Sequence, residues 1–196
     1  LKTTGGATID DRFYGLIRFM CTPLHILSTW LYPKVFALHH VYSEEGVPLF
    51  GDISPTTNKV IFPPNIPASE EFLDRSGIFL IDNHETIYIY IRKEADPALI
   101  QGLLGVEGFQ DINANTVFPE SLESDFFVRV QNLIDGLRRL KNSSYQNIRI
   151  AAEEGPLEPY VKSLLVEKCP GEDNFENFEN NIRKLVNTKE AQGYLI

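Results

Sequence analysis

The stretch from Ser76 to Arg92, SGIFLIDNHETIYIYIR, constrains the fold more than any other part of this 196-residue chain. Ile78, Phe79, Leu80 and Ile81 form a continuous apolar run, the pattern of a strand covered on both faces. Asp82-Asn83-His84-Glu85 then supplies four polar residues that favour a turn. After Thr86 the pattern alternates strictly. Ile87, Ile89 and Ile91 point to one face, and Tyr88 and Tyr90 to the other. β-Branched and aromatic residues suit a pleated, half-buried surface. The segment reads as a β-hairpin whose first strand is central in a sheet. A lone hairpin is marginal in water, so other strands and covering helices must come from elsewhere in the chain.

Those partners are legible in outline. Asp10-Asp11 can open a helix, and Phe13, Leu16, Ile17, Met20, Leu24 and Leu27 follow at helical spacing. Pro23 must kink this helix or split it. Trp30-Leu31-Tyr32-Pro33 leaves it, and Lys34 to Val41 reads as the first strand. Residues 42–69 are rich in Gly, Pro, Ser, Thr and Asn, a surface passage with room for a short edge strand. Ser69 is placed to cap a single turn through Leu73, and Gly77 to admit the chain into the hairpin. Pro97 to Leu104 reads as a short helix ending near Gly105.

Ser124 is placed to cap the clearest helix. Its stripe is Phe127, Val130, Leu133, Ile134, Leu137 and Leu140, with Arg138, Arg139 and Lys141 complementing the dipole at its end. Ile148 to Ala152 is a strand candidate, and Tyr160 to Val166 suits either a helix or a strand. Asp173-Asn174-Phe175-Glu176 matches a capping box opening an amphipathic helix with Phe175, Phe178, Ile182, Leu185 and Val186. The fold class is α/β or α+β, a small sheet packed by helices. The stripes Phe13–Leu27 and Phe175–Val186 both need covering and are expected to meet.

Composition excludes several functions. No apolar run approaches the roughly 18 residues needed to cross a bilayer. The two cysteines, Cys21 and Cys169, cannot form a disulfide framework and fit a reducing compartment. The chain opens on Leu1 without a signal-like segment and reads as a piece of something longer. Net charge is −9, with three basic residues against ten acidic in residues 61–120. An acidic middle argues against nucleic acid or an anionic lipid face as main partner.

Candidate chemistry is sparse. Cys21 and His25 are four apart and could share a helix face, but a zinc site needs three or four ligands and the neighbours supply none. His39 and His40, adjacent in a strand, would face opposite ways and could not chelate together. Gly102, Gly105 and Gly108 lack the Gly-Lys-Ser/Thr ending of a phosphate loop. Asp82, His84 and Glu85 cluster as acid–base groups do, yet polar residues are expected in any turn. Glu153-Glu154-Gly155 could hold calcium, though a charged strand end explains it better. Trp30, Tyr32, Tyr88, Tyr90 and Tyr160 could anchor a partner or pack in the core. The residues themselves therefore assign no catalytic, cofactor-binding, metal or cargo-binding site.

The order of segments carries a resemblance. Tyr32 to His39, YPKVFALH, is similar to a "YPRLYPLH" stretch, and Gly77 to Asn83, GIFLIDN, to "GAYLLDNG". Leu133 to Arg138 falls where a long helix carries an Ile followed by Leu-Arg. Ile148 to Gly155 resembles "LYVVREG", and Leu164 to Lys168 resembles "LLVEDK". Taken together these resemble the C-terminal region of the SEC24 family, the cargo-adaptor subunit of the COPII vesicle coat. His84 stands where the family has Gly, Glu154 departs from an Arg-Glu pattern, and Lys168-Cys169 follows where an acidic residue is common.

The resemblance implies a gelsolin-like domain over residues 32–168, with 1–31 the end of an all-helical domain and 169–196 a helix returning to it. It implies a non-enzymatic module in endoplasmic-reticulum-to-Golgi transport, cytoplasmic and peripheral on the endoplasmic reticulum membrane and COPII vesicles. Partners would be the sister subunit of the SEC23 type and cytosolic tails of cargo and SNARE proteins, with no nucleic acid. No cofactor is expected in this segment, the family's zinc finger lying upstream. The competing readings are an actin- or calcium-binding gelsolin-type regulator and a carboxylate-using hydrolase centred on Asp82 and Glu85.

Overall fold

A computed structural model describes residues 9–41, 50–141 and 145–165. The chain opens with two helices, α1 (Ile9–Cys21) and α2 (Leu24–Leu31). Pro23 splits them as expected, because it lacks an N–H and its ring blocks the preceding turn. The second helix runs further than expected and includes Trp30 and Leu31. Strand β1 (Lys34–Ala37) follows, then β2 (Asn65–Ile66), β3 (Ile78–Asp82) and β4 (Thr86–Ile91). Helices α3 (Pro97–Leu104) and α4 (Asp125–Leu140) lead to β5 (Asn147–Ala152) and α5 (Glu158–Leu164).

The five strands form one mixed α/β sheet in the order β2-β1-β3-β4-β5. The hairpin strand β3 occupies its centre, bonded antiparallel to β1 on one side and β4 on the other. β5 runs parallel to β4, with Ile87 opposite Ile148 and Ile91 opposite Ala152. A parallel neighbour needs a long crossover, which α3 and α4 supply.

Both sheet faces are covered. On one, Ile78, Leu80, Ile87, Ile89 and Ile91 join Ile100 and Leu103 of α3 and Val130, Leu133 and Ile134 of α4 in a single apolar cluster. On the other, Phe79, Ile81, Tyr88 and Tyr90 join Val35, Val161 of α5 and Leu165. Alternation along β4 therefore sorts side chains between two buried layers. The half-buried surface expected for it does not occur, because α5 and the approach to β3 cover the tyrosine face.

Several local expectations are corrected. The first strand ends at Ala37, and Leu38–Val41 forms a 3-10 turn. Ser69 and Ser124 precede their helical turns, but neither side chain makes a capping hydrogen bond. Leu140, the last residue of the α4 stripe, is exposed, while Phe126 joins the core. The segment at Tyr160 is helical and starts earlier, at Glu158.

The Pro97–Leu104 helix holds as expected, and Gly105 ends it at φ +74°. That left-handed conformation favours glycine. The structure adds a cap: Asp96 accepts from the Ala98 N–H at 2.9 Å. The Phe175–Val186 helix, and with it the expected contact to Phe13–Leu27, lies outside the described residues.

The two N-terminal helices leave much apolar surface in solvent among the described residues. Phe13, Tyr14, Ile17, Met20 and Leu24 are all exposed, Met20 at 75% and Leu24 at 79%. No helix among the described residues is long and apolar enough to cross a membrane.

Candidate functional site

The polar turn between β3 and β4 is the best-defined polar site in the described chain. Asp82 ends the central strand and has no exposed surface. Its Oδ1 accepts the His84 N–H at 2.9 Å and the Gln146 Nε2–H at 2.8 Å, and is ion-paired with Lys141 Nζ. Asn83 Oδ1 accepts from the Glu85 and Thr86 N–H groups at 3.2 and 2.9 Å. Both side chains thus stand in for backbone acceptors, which is why Asp and Asn recur in turns. His84 takes φ +78°. A glycine would sit there without strain, so a histidine at this position is held in left-handed backbone by the turn around it. Glu154 takes φ +60° for the same local reason, a tight turn after β5.

Electrostatics follow from burial. Burial lowers the Lys141 ammonium from its usual range, and the Asp82 carboxylate opposes that shift. Burial also lowers His84, as does Lys141, while Asp82 works the other way. A charge pair removed from water is costly to form and costlier to break, so these groups are spent on each other. The cluster ties three distant segments together: the hairpin, the C-terminal end of α4 and the entry to β5.

Glu85, the other acid of the turn, faces outward and pairs with Arg18 of α1. The Arg18 guanidinium lies over the Trp30 ring at 4.6 Å from its centroid. The turn therefore contacts the helical pair. Asp82 and Glu85 do not converge on a common space, and no substrate reaches a carboxylate with no accessible surface. The competing hydrolase reading of the turn therefore gains no support from the placement of Asp82 and Glu85.

The remaining candidates separate cleanly. Cys21 closes α1 and His25 lies in α2, so the break at Pro23 takes them off a shared helix face. Glu153 pairs with Arg92 at 3.1 Å, and Glu154 with Lys93 at 2.9 Å. Those carboxylates already neutralise cations, so they are the charged strand end. Tyr88 and Tyr90 are core residues, whereas Tyr32 and Tyr160 are exposed.

Tyr90, 1% exposed, donates its hydroxyl to Glu158 Oε1 at 3.0 Å. Burial pushes the Tyr90 phenol upward, and its hydrogen bond to Glu158 adds to that. The Tyr88 phenol is pushed up to about 12, chiefly by burial. Burial alone would raise the Glu158 carboxyl, but bonds from Lys162, the Glu154 N–H and Tyr90 together hold it below its usual range. Tyr90→Phe deletes a hydroxyl bound to a charged acceptor and should cost about 1.5–3 kcal/mol in urea unfolding. A loss under about 0.5 kcal/mol, typical of a surface site, would show that this bond contributes nothing.

Sequence reading missed one grouping. It set His39 and His40 on opposite faces of a strand. The strand ends before them, and the turn that replaces it places their rings 4.1 Å apart, centroid to centroid, beside Asp74. An adjacent His pair is the only local signal of this, and Asp74 is 34 residues away in sequence. A 430 Å³ cleft also opens beside β5, lined by Val117, Phe118, Arg138, Tyr145, Gln146 and Ile148 among others.

The family described as gelsolin repeat matches residues 59–125, from the approach to β3 through to the start of α4. Protein transport protein SEC24-2 of Saccharomyces uvarum is 32% identical over 76% of this chain and 16% of its own length. SEC24 of Saccharomyces cerevisiae is 30% identical over the same shares, and SEC24 of Coccidioides immitis 27% identical over 85% and 18%. The crystal structure of the human COPII-coat protein Sec24c superposes with a TM-score of 0.69 at 22% identity, covering 94% of this chain and 23% of that one. That likeness concerns the fold. The chain thus spans roughly a fifth of the relatives it matches. Sequence similarity along most of its length, a gelsolin-repeat match over the hairpin, and the superposed sheet lead to one conclusion: this chain belongs to the SEC24 family, as a segment built on its gelsolin-like domain.

Proposed function

We propose that this segment is a non-enzymatic structural and interaction module of a COPII coat adaptor acting in endoplasmic-reticulum-to-Golgi protein transport. The observation that carries the reading is the continuous similarity to transport proteins named SEC24, at 27–32% identity over 76–85% of the chain. The site geometry supports it. The groups that would react in an enzyme, Asp82 above all, are buried and paired, and they hold elements together instead.

In this reading residues 32–168 form the gelsolin-like domain, and residues 1–31 and 169–196 belong to a helical domain completed by the rest of the polypeptide. The exposed apolar residues of α1 and α2 support that division, since such a surface marks a contact to be made. The module works as part of a cytoplasmic coat on the endoplasmic reticulum membrane, beside the sister subunit of the SEC23 type. Binding of sorting signals in cargo and SNARE tails is the finer part of the proposal. The cleft beside β5, lined by both polar and apolar residues next to a sheet edge, supports it.

The test is a pull-down using the full-length polypeptide that carries this segment. The sister subunit and SNARE-tail peptides should be retained, and purified actin should not co-sediment, with or without calcium. The gelsolin-repeat match makes the actin arm a necessary one. Actin binding without coat-subunit binding would replace the coat reading by a gelsolin-type regulator.

A further inference from the structure

The sheet topology brings two imidazoles and a carboxylate to one point. β1 and β3 are antiparallel, with Ala37 opposite Phe79. The turn after β1 therefore lies beside the turn before β3. The first carries His39 and His40. The second carries Asp74, whose carbonyl accepts the Gly77 N–H at 3.0 Å. Asp74 Oδ2 lies 3.4 Å from His39 Nε2 and 3.8 Å from His40 Nε2, and the three ligand atoms fall within 4.8 Å of one another. We propose that His39, His40 and Asp74 form a three-ligand site for a divalent transition-metal ion of the zinc class.

The spacing suits such an ion. Bonds of about 2.0–2.1 Å at tetrahedral angles put neighbouring ligand atoms roughly 3.3 Å apart, so a small closure of exposed side chains completes the site. The donor chemistry selects the metal. Imidazole suits zinc, copper and nickel, whereas calcium and magnesium take oxygen ligands. Three protein ligands leave a position for water, so the site would load from solvent. His40 and Asp74, each with side chains 65% exposed, give the ion that access.

His39 is the fixed arm. Its side chain is 11% exposed, and its ring stands edge-on to Phe79 with centroids 5.2 Å apart. Its Nδ1 accepts the Ile78 N–H at 3.2 Å and also lies 3.3 Å from the Ile78 carbonyl oxygen. Without metal, Nε2–H faces Asp74; with a metal on Nε2 the proton would sit on Nδ1, where the Ile78 carbonyl is within reach to accept it. Outer hydrogen bonds of this kind orient metal-binding histidines. Gly77 leaves the room for this arrangement. A Cβ there would come within 2.9 Å of His39 Cε1 and 2.3 Å of the Phe79 ring. The site is separate from the zinc finger that the family resemblance places upstream, and it uses none of the Asp82 cluster.

Zinc titration of the full 196-residue chain by calorimetry tests this, with calcium as a parallel probe. One zinc ion per chain should bind and raise the melting temperature, and calcium should do neither. His40→Ala and Asp74→Asn should each weaken zinc binding about 10-fold or more. Both positions are exposed, so each variant should melt as the parent does without zinc. His25→Ala should leave binding unchanged. The assignment is overturned by no saturable zinc binding, by undiminished affinity in the His40→Ala/Asp74→Asn double variant, or by loss of binding in Cys21→Ser/Cys169→Ser instead.

Discussion

Replacing Leu80 by Ala should lower the unfolding free energy by about 2–5 kcal/mol, measured by urea denaturation. Leu80 has no exposed surface and lies on the central strand, opposite Phe36 on one side and Ile89 on the other. Truncation removes three carbons from the core, worth about 0.8 kcal/mol each in transfer energy. A cavity term adds to this, because a strand bonded on both sides cannot move in to fill the gap. Leu140 offers the contrast within one measurement. It belongs to the same helical stripe as the core residues of α4, yet it is 69% exposed, and Leu140→Ala should stay within about 0.5 kcal/mol of the parent. Equal costs for the two substitutions would remove Leu80 from the centre of the core.

Loss of Lys141 should be as damaging, for an electrostatic reason. Lys141→Ala leaves the buried Asp82 carboxylate with hydrogen bonds from Gln146 and His84 but no counter-charge, which should cost about 3–5 kcal/mol. The sign of the partner's effect is the diagnostic. Asp82→Asn in the Lys141→Ala background removes the stranded charge and should recover part of the loss, so the two changes should be strongly non-additive. Additive costs would mean that the two groups do not interact in solution. By comparison, the exposed Glu85–Arg18 pair should be worth at most about 1 kcal/mol, since water screens it.

The hairpin was legible in sequence because its signals are local. An apolar run, four polar residues and a strict alternation each carry their own geometric meaning within seventeen residues. The break at Pro23 and the glycine end of α3 were legible for the same reason. The polar turn was located correctly, but its burial was not legible. Only the return of α4 and the entry to β5 show Asp82 to be buried and paired. Alternation at Tyr88 and Tyr90 is likewise blind to what covers a face, and α5 turned an expected half-exposed surface into core.

The chain's own pattern thus determined the hairpin, the helical stripes, the α/β class and, through the order of its segments, the family. Tertiary structure decided which carboxylates are sealed from water, how β5 joins the sheet in parallel, and that His39, His40 and Asp74 stand together. Short-range patterns record the period of the backbone and its turns. Burial, ion pairing and convergence of side chains depend on contacts between residues tens of positions apart, and no local spacing encodes those.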